Sequence, residues 1–168
     1  MSNLVVKSKK DVWNAKFPTK LVLFGVPYKI QSKTSKTRNS LDVTGKTALL
    51  KVKENTTEKQ KIKVITEWYR NQLKDEIDIV LPKLEKMTNL HCSTYGTKIM
   101  ATRWGTCNTK SKKIWLNVQL AQMPKKCLEY VILHELIHTK ISRHTGEFRA
   151  LLEQYMPDWQ KYQLLLEK

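Results

Sequence analysis

Three of the four histidines in this chain lie within one short stretch, VILHELIHTKISRH, which runs from Val131 to His144. His134 and His138 are four positions apart, so on a helix their side chains lie on one face and can bind the same ion. Two imidazoles at this spacing suit a tetrahedral zinc ion with Zn–N distances of about 2.0–2.1 Å. The stretch therefore predicts a metal site built on a helix.

The residue after the first histidine, Glu135, lies one position round that helix. A zinc ion lowers the pKa of water to about 7, and a neighbouring carboxylate can then take the proton of that water. A catalytic zinc also needs a third protein ligand. His144 can supply it only if the chain leaves the helix near Ile141–Ser142 and turns back. We therefore predict one Zn²⁺ per chain, Glu135 as the general base, and three metal ligands: His134, His138 and His144.

Other readings of the three histidines fit less well. A histidine on an apolar helix is usually hydrogen-bonded within the core, and a structural zinc is mostly closed by four Cys or His ligands. Neither reading explains three clustered histidines beside a carboxylate. The spacing resembles that of metzincins, but Ile141 stands where those enzymes have glycine, and no Met-turn follows. The fourth histidine, His91, has no partner motif, and we assign it no role.

The net charge and the cysteine content indicate the partners and the cellular compartment of the protein. The formal net charge is +16, and the excess is spread along the chain, with modest clusters such as Lys7–Lys10. This favours a solubilising surface with weak, non-specific nucleic-acid binding. Three cysteines without a CxxC pair predict a reduced, cytoplasmic protein. We expect no membrane association, because no apolar run reaches the length of a signal peptide or a membrane span.

The elements before the histidine motif divide into strands and a helix. Residues 1–55 carry short strand patterns with turns at Gly25–Pro27 and Thr44–Gly45. Residues 57–88 follow helical spacing behind a capping box. Pro82 is expected to kink or end this helix, because proline has no N–H and its ring clashes with the preceding turn.

Residues 95–168 form the predicted catalytic part. A strand hairpin turns at residues 108–111, Pro124 opens the helix that carries the histidines, and Thr145 caps the helix that follows. We predict one domain over residues 1–168. Its fold class is α+β, with a small, mostly antiparallel sheet packed on the long helix and the HExxH helix.

The quoted residues also carry a family resemblance. The segment from Arg103 to Phe148, RWGTCNTKSKKIWLNVQLAQMPKKCLEYVILHELIHTKISRHTGEF, closely resembles the YgjP-like zinc metallopeptidase domain. WYRNQLKDEI looks like the upstream helix of that family and LFGVPYKI like its early strand. Thr106 stands where the family usually has serine, and Arg149 where it often has tryptophan. The resemblance implies a zincin-type domain that hydrolyses peptide bonds with three metal histidines and a catalytic glutamate.

The resemblance leaves the substrate open. One alternative is a DNA-associated protease of the SprT-like kind, and another is a non-catalytic, zinc-containing nucleic-acid-binding module. We predict that a peptide substrate pairs with an edge strand at Lys113–Val118, with the Ile99–Cys107 segment further inside the sheet. The candidate substrate-binding residues are Trp115, Asn117 and Arg103. The candidates for stabilising the oxyanion are Tyr95, Tyr155 and Arg103.

Overall fold

The computed structural model describes residues 20–167. The first part of the predicted N-terminal strand region, with the Lys7–Lys10 cluster, lies outside these residues. In chain order the elements are β1 (Lys20–Leu23), β2 (Val26–Thr34), β3 (Ser40–Thr44), β4 (Thr47–Val52), α1 (Glu58–Thr88), β5 (Thr94–Lys98), β6 (Gly105–Asn108), β7 (Lys113–Asn117), a 3-10 helix (Val118–Gln122), α2 (Lys125–His138), α3 (Gly146–Tyr155) and α4 (Trp159–Glu167). The predicted α+β class is confirmed, and the strands form two sheets.

The first sheet has the strand order β1-β2-β4-β3. Strands β1 and β2 are antiparallel, as are β3 and β4, whereas β2 and β4 pair in parallel. Both predicted turns are present, and Gly25 and Gly45 take positive φ angles of 83° and 57° there. In β4 every second residue is buried, as expected when one face of a sheet covers a core.

Helix α1 begins with the predicted capping box. The backbone N–H of Thr57 donates to Gln60 Oε1 at 2.8 Å, and the backbone N–H of Gln60 donates to Thr57 Oγ1 at 3.3 Å. Of the two outcomes expected at Pro82, the helix does not end there but continues to Thr88, within the predicted helical range 57–88. Pro82 is exposed, while Leu81 and Leu84 beside it are buried. Packing on both sides of the proline therefore holds the helix together despite the missing N–H.

The second sheet has the order β5-β7-β6, so β7 is its central strand. Strand β7 pairs in parallel with β5 and antiparallel with β6. The prediction of an edge strand at Lys113–Val118 is therefore wrong, as is the inner position given to Ile99–Cys107. The free edge on that side is β6. Ile114 and Leu116 alternate along β7 and are buried, but the same apolar alternation occurs in edge and central strands.

Helix α2 lies in the middle of the core and packs against α1, α3, α4 and both β6 and β7. Every residue from 130 to 137 is buried. Two backbone hydrogen bonds join the β1–β2 turn to the segment before this helix: Phe24 N–H donates to Ala121 O at 2.7 Å, and Gly25 N–H to Gln122 O at 3.2 Å. Within residues 20–167, no helix combines the length and the apolar character needed to cross a bilayer.

Candidate metal centre and active site

The three histidines meet because α2 stops and the chain reverses. The helix ends at His138, and the backbone N–H of Ile141 still bonds to Ile137 O at 2.8 Å. A tight turn follows, in which Thr145 N–H donates to Arg143 O at 2.8 Å. This turn brings His144 back against the last turn of α2. The reversal predicted from the sequence is present, but the helix ends at His138, slightly earlier than the exit expected near Ile141–Ser142.

The Nε2 atoms of the three rings form a nearly equilateral triangle. The separations are 3.2 Å between His134 and His138, 3.1 Å between His138 and His144, and 2.9 Å between His144 and His134. Tetrahedral zinc with Zn–N bonds of about 2.0–2.1 Å separates its nitrogen ligands by about 3.3 Å. The triangle is slightly smaller than that, and one ion fits above its centre.

Hydrogen bonding alone does not account for this triangle. His138 Nδ1 lies 3.0 Å from Ile141 O, and because a carbonyl only accepts, this Nδ1 carries the proton. The Nε2 of neutral His138 is then a bare lone pair, available to a metal. A hydrogen bond from the second ring nitrogen to a carbonyl is the usual way in which a metal-binding histidine is oriented. The donor set therefore fits a metal ion.

Burial favours the neutral form of the three imidazoles. It lowers the pKa of His134 well below the usual value, and the neighbouring His138 and His144 lower it further. Burial also lowers the pKa of His138. For His144, burial acts together with the positive charge of Arg149. Metal ligation needs neutral imidazoles, so these surroundings prepare the rings for a metal at neutral pH.

Phe148 supports all three rings. Its ring centroid lies 4.9 Å from His134, 4.7 Å from His138 and 4.8 Å from His144. The predicted cap places this ring, because Thr145 Oγ1 accepts from the backbone N–H of Phe148 at 3.4 Å. The sequence analysis gave Phe148 no role at the site, although its position shortly after the third histidine was a usable signal.

Glu135 lies beside the histidine triangle and is almost fully buried. Burial raises the pKa of its carboxyl to about 8, while the positive charge of Arg103 acts in the opposite direction. A cation at the histidines would also favour the carboxylate, because an opposite charge stabilises the ionised form. This is the environment in which a glutamate can take and return a proton near neutral pH.

Gly105 makes room for Glu135. A Cβ at Gly105 would lie 2.7 Å from Glu135 Oε1 and 2.9 Å from Val131 Cγ1, both shorter than van der Waals contact. Strand β6 therefore packs directly on α2 at the carboxylate. The sequence analysis gave Gly105 no role, because no local sequence pattern relates it to Glu135, thirty positions further along the chain.

Of the residues predicted to bind the substrate or to stabilise the oxyanion, one lines the cavity above the histidines and the others do not. Arg103 lines the cavity above the histidines. Trp115 and Asn117 do not line it. Trp115 lies across Gly96, where a Cβ would come within 2.5 Å of its ring. Asn117 is fully buried, and its side-chain amide donates to Met100 O at 2.9 Å and to Arg103 O at 2.8 Å.

Asn117 therefore has a structural role, because its hydrogen bonds hold the loop that carries Arg103. The two predicted tyrosines are also outside the cavity lining. The hydroxyl of Tyr95 donates to Asp78 on α1, and Tyr155 lies half-buried in α3. Tyr130 does line the cavity, between His134 and Trp159.

The fold and this site together define a class of protein, the HExxH metallohydrolases, in which one helix presents two histidines and a glutamate to one metal ion. The family model of the YgjP-like, metallopeptidase domain matches residues 5–168. The chain belongs to this family and is a metallopeptidase. This confirms the family predicted from the sequence.

Among solved structures, the chain is similar to the metallopeptidase zymogen jannalysin of Methanocaldococcus jannaschii. The sequence identity is 26%, the match covers 56% of this chain and 92% of jannalysin, and the TM-score is 0.47. The comparison with curated proteins gives no match.

Proposed function

We propose that this metallopeptidase hydrolyses peptide bonds with one zinc ion held by His134, His138 and His144. The triangle of Nε2 atoms beside a buried carboxylate is the observation that carries the proposal. When bound, zinc supplies a Lewis acid that polarises the scissile carbonyl and activates a water molecule. Glu135 takes a proton from that water and then gives it to the leaving amine.

The substrate backbone is expected to lie along β6 rather than β7. Strand β6 is one of the two edge strands of the second sheet, and its residues Gly105, Thr106 and Cys107 line the cavity. An edge strand offers unpaired N–H and C=O groups to an extended peptide. The contact of Gly105 with Glu135 brings this edge next to the general base.

The decisive test compares Glu135→Gln with the wild type. The amide keeps the size of the side chain but cannot take a proton, so we expect peptide cleavage to fall by about 10²- to 10⁴-fold. Zinc content, measured by mass spectrometry of the purified protein, should remain about one ion per chain.

His138→Ala is the complementary variant, because it removes a metal ligand and leaves the base in place. We expect loss of both zinc and cleavage. A wild-type protein that stays free of metal in excess zinc would contradict the metal assignment. Full cleavage by Glu135→Gln would contradict the assigned base but not the metal.

A further inference from the structure

The walls of the catalytic cavity carry an excess of positive charge. The cavity has a volume of about 710 Å³, and three arginines line it: Arg103, Arg143 and Arg149. Glu135 is the one acidic side chain among the lining residues in the described part of the chain. A bound divalent cation would make the cavity more positive still. Such a cavity attracts negative groups and repels positive ones.

These three arginines are available to a ligand. Within residues 20–167, none of them forms a salt bridge, and all three are exposed. An unpaired guanidinium at a cavity wall is a ready partner for a carboxylate, which it binds through two parallel N–H donors.

The three arginines come from separate segments of the chain. Arg103 lies in the loop before β6, which Asn117 holds through its hydrogen bonds. Arg143 lies in the turn after α2, and Arg149 in the first part of α3. A peptide placed along β6 therefore lies in a cavity to which several segments contribute positive groups.

Resting on the proposed function, we propose that this enzyme prefers peptides with Asp or Glu close to the scissile bond, and that Arg103, Arg143 and Arg149 set this preference. An acidic peptide fits better than a nucleic acid. The positive groups lie beside a free strand edge, and a peptide backbone can pair with that edge while its side chains meet the arginines.

The test uses the zinc-loaded full chain and a synthetic peptide library randomised with Glu, Lys, Ala, Ser, Leu and Phe. Cleaved products are read by mass spectrometry. We expect Glu to exceed Lys near the cleavage site by roughly 3- to 10-fold at low salt, with a smaller excess at high salt. Equal use of Glu and Lys would overturn the proposal.

The double variant Arg143→Gln with Arg149→Gln tests the assigned residues. A matched control, Arg38→Gln with Lys63→Gln, also removes two positive charges, but from a separate groove between β3 and α1. We expect the first variant to lose most of the preference for Glu and the control to keep it. A preference that both variants keep, or both lose equally, would overturn the assignment to the cavity.

A binding measurement separates this inference from the proposed function. In the zinc-loaded Glu135→Gln protein, a fluorescein-labelled Glu-rich peptide should bind several-fold more tightly than its Lys-rich counterpart. The cavity variant should weaken that binding more than the control variant does. This result can hold even if no cleavage is found, and equal binding of the two peptides would overturn the inference whether or not the enzyme is active.

Discussion

The backbone at Gly105 lies so close to Glu135 that it leaves no room for a side chain. In Gly105→Ala the new Cβ would meet Glu135 Oε1 at 2.7 Å, so the carboxylate must move. A displacement of about 1 Å at a catalytic group costs on the order of 10²-fold in rate. We expect kcat/KM to fall by about 10- to 100-fold with zinc content unchanged, as measured with a cleaved peptide and metal analysis.

Gly146→Ala is a suitable control for that variant, because nothing lies within 4 Å of the position where its Cβ would be. It should retain nearly full activity. If Gly105→Ala were as active as this control, the close packing of β6 on Glu135 would not matter for catalysis.

The half-buried cysteines lead to a prediction about pH. Burial raises the pKa of Cys92 to about 11, with a further contribution from Glu85, and burial also raises that of Cys107 to about 11. A raised thiol pKa leaves little reactive thiolate at neutral pH. In the metal-free protein we expect iodoacetamide to react slowly at pH 7.5 and to accelerate only as the pH approaches 11. Rapid labelling at neutral pH, relative to free cysteine, would contradict this.

At the scale of single residues, the sequence was sufficient to predict contacts between residues of the same motif. His134, Glu135 and His138 lie on one helix, so helical spacing predicts that they meet, whereas His144 joins them through the turn after the helix. Gly105 and Arg103 reach the site from another element, and the packing that brings them there has no period in the sequence. Trp115 and Asn117 were predicted to bind the substrate because their strand was expected at the edge of the sheet, but this strand is the central one.

Among the elements, α1 offers a direct test, because it continues through Pro82. Proline in a helix interior costs about 3 kcal/mol, through a lost hydrogen bond and a clash with the preceding turn. Pro82 is exposed, so Pro82→Ala loses little packing and regains the N–H. We expect the free energy of unfolding in urea to rise by about 1–3 kcal/mol.

Lys83→Ala, at the next exposed position, controls for general helix propensity and should change stability by less than about 0.5 kcal/mol. A Pro82→Ala protein no more stable than this control would mean that the helix has already adapted to the proline.

Features set by neighbouring residues could be predicted from the sequence, whereas features set by distant segments could not. Caps and turns are local, so the capping box, the Gly45 turn and the Thr145 cap were all predictable. Strand order depends on contacts between distant segments, and the alternation in β7 was compatible with an edge. The parallel pairings of β2 with β4 and of β5 with β7 join strands that are not consecutive, and nothing in either strand alone specifies that partner.

For the whole molecule, the positive charge predicts a general affinity for polyanions. The chain has 31 Lys and Arg against 15 Asp and Glu. We expect sequence-independent binding to duplex DNA with a Kd on the order of 10⁻⁴–10⁻⁶ M, weakening steeply between about 50 and 200 mM salt. Fluorescence anisotropy with labelled duplexes of different sequence measures this. Tight binding that persists at 200 mM salt would instead favour the DNA-associated protease alternative.

The hydrogen bonds from the β1–β2 turn to Ala121 and Gln122 also have a consequence for folding kinetics. They close a loop on the order of 100 residues, and long loops are entropically costly to close before other contacts form. Most contacts around the histidines are separated by far fewer residues. We therefore expect the catalytic half to become protected from hydrogen exchange early in refolding, and the docking of the first sheet onto the entry of α2 to come late.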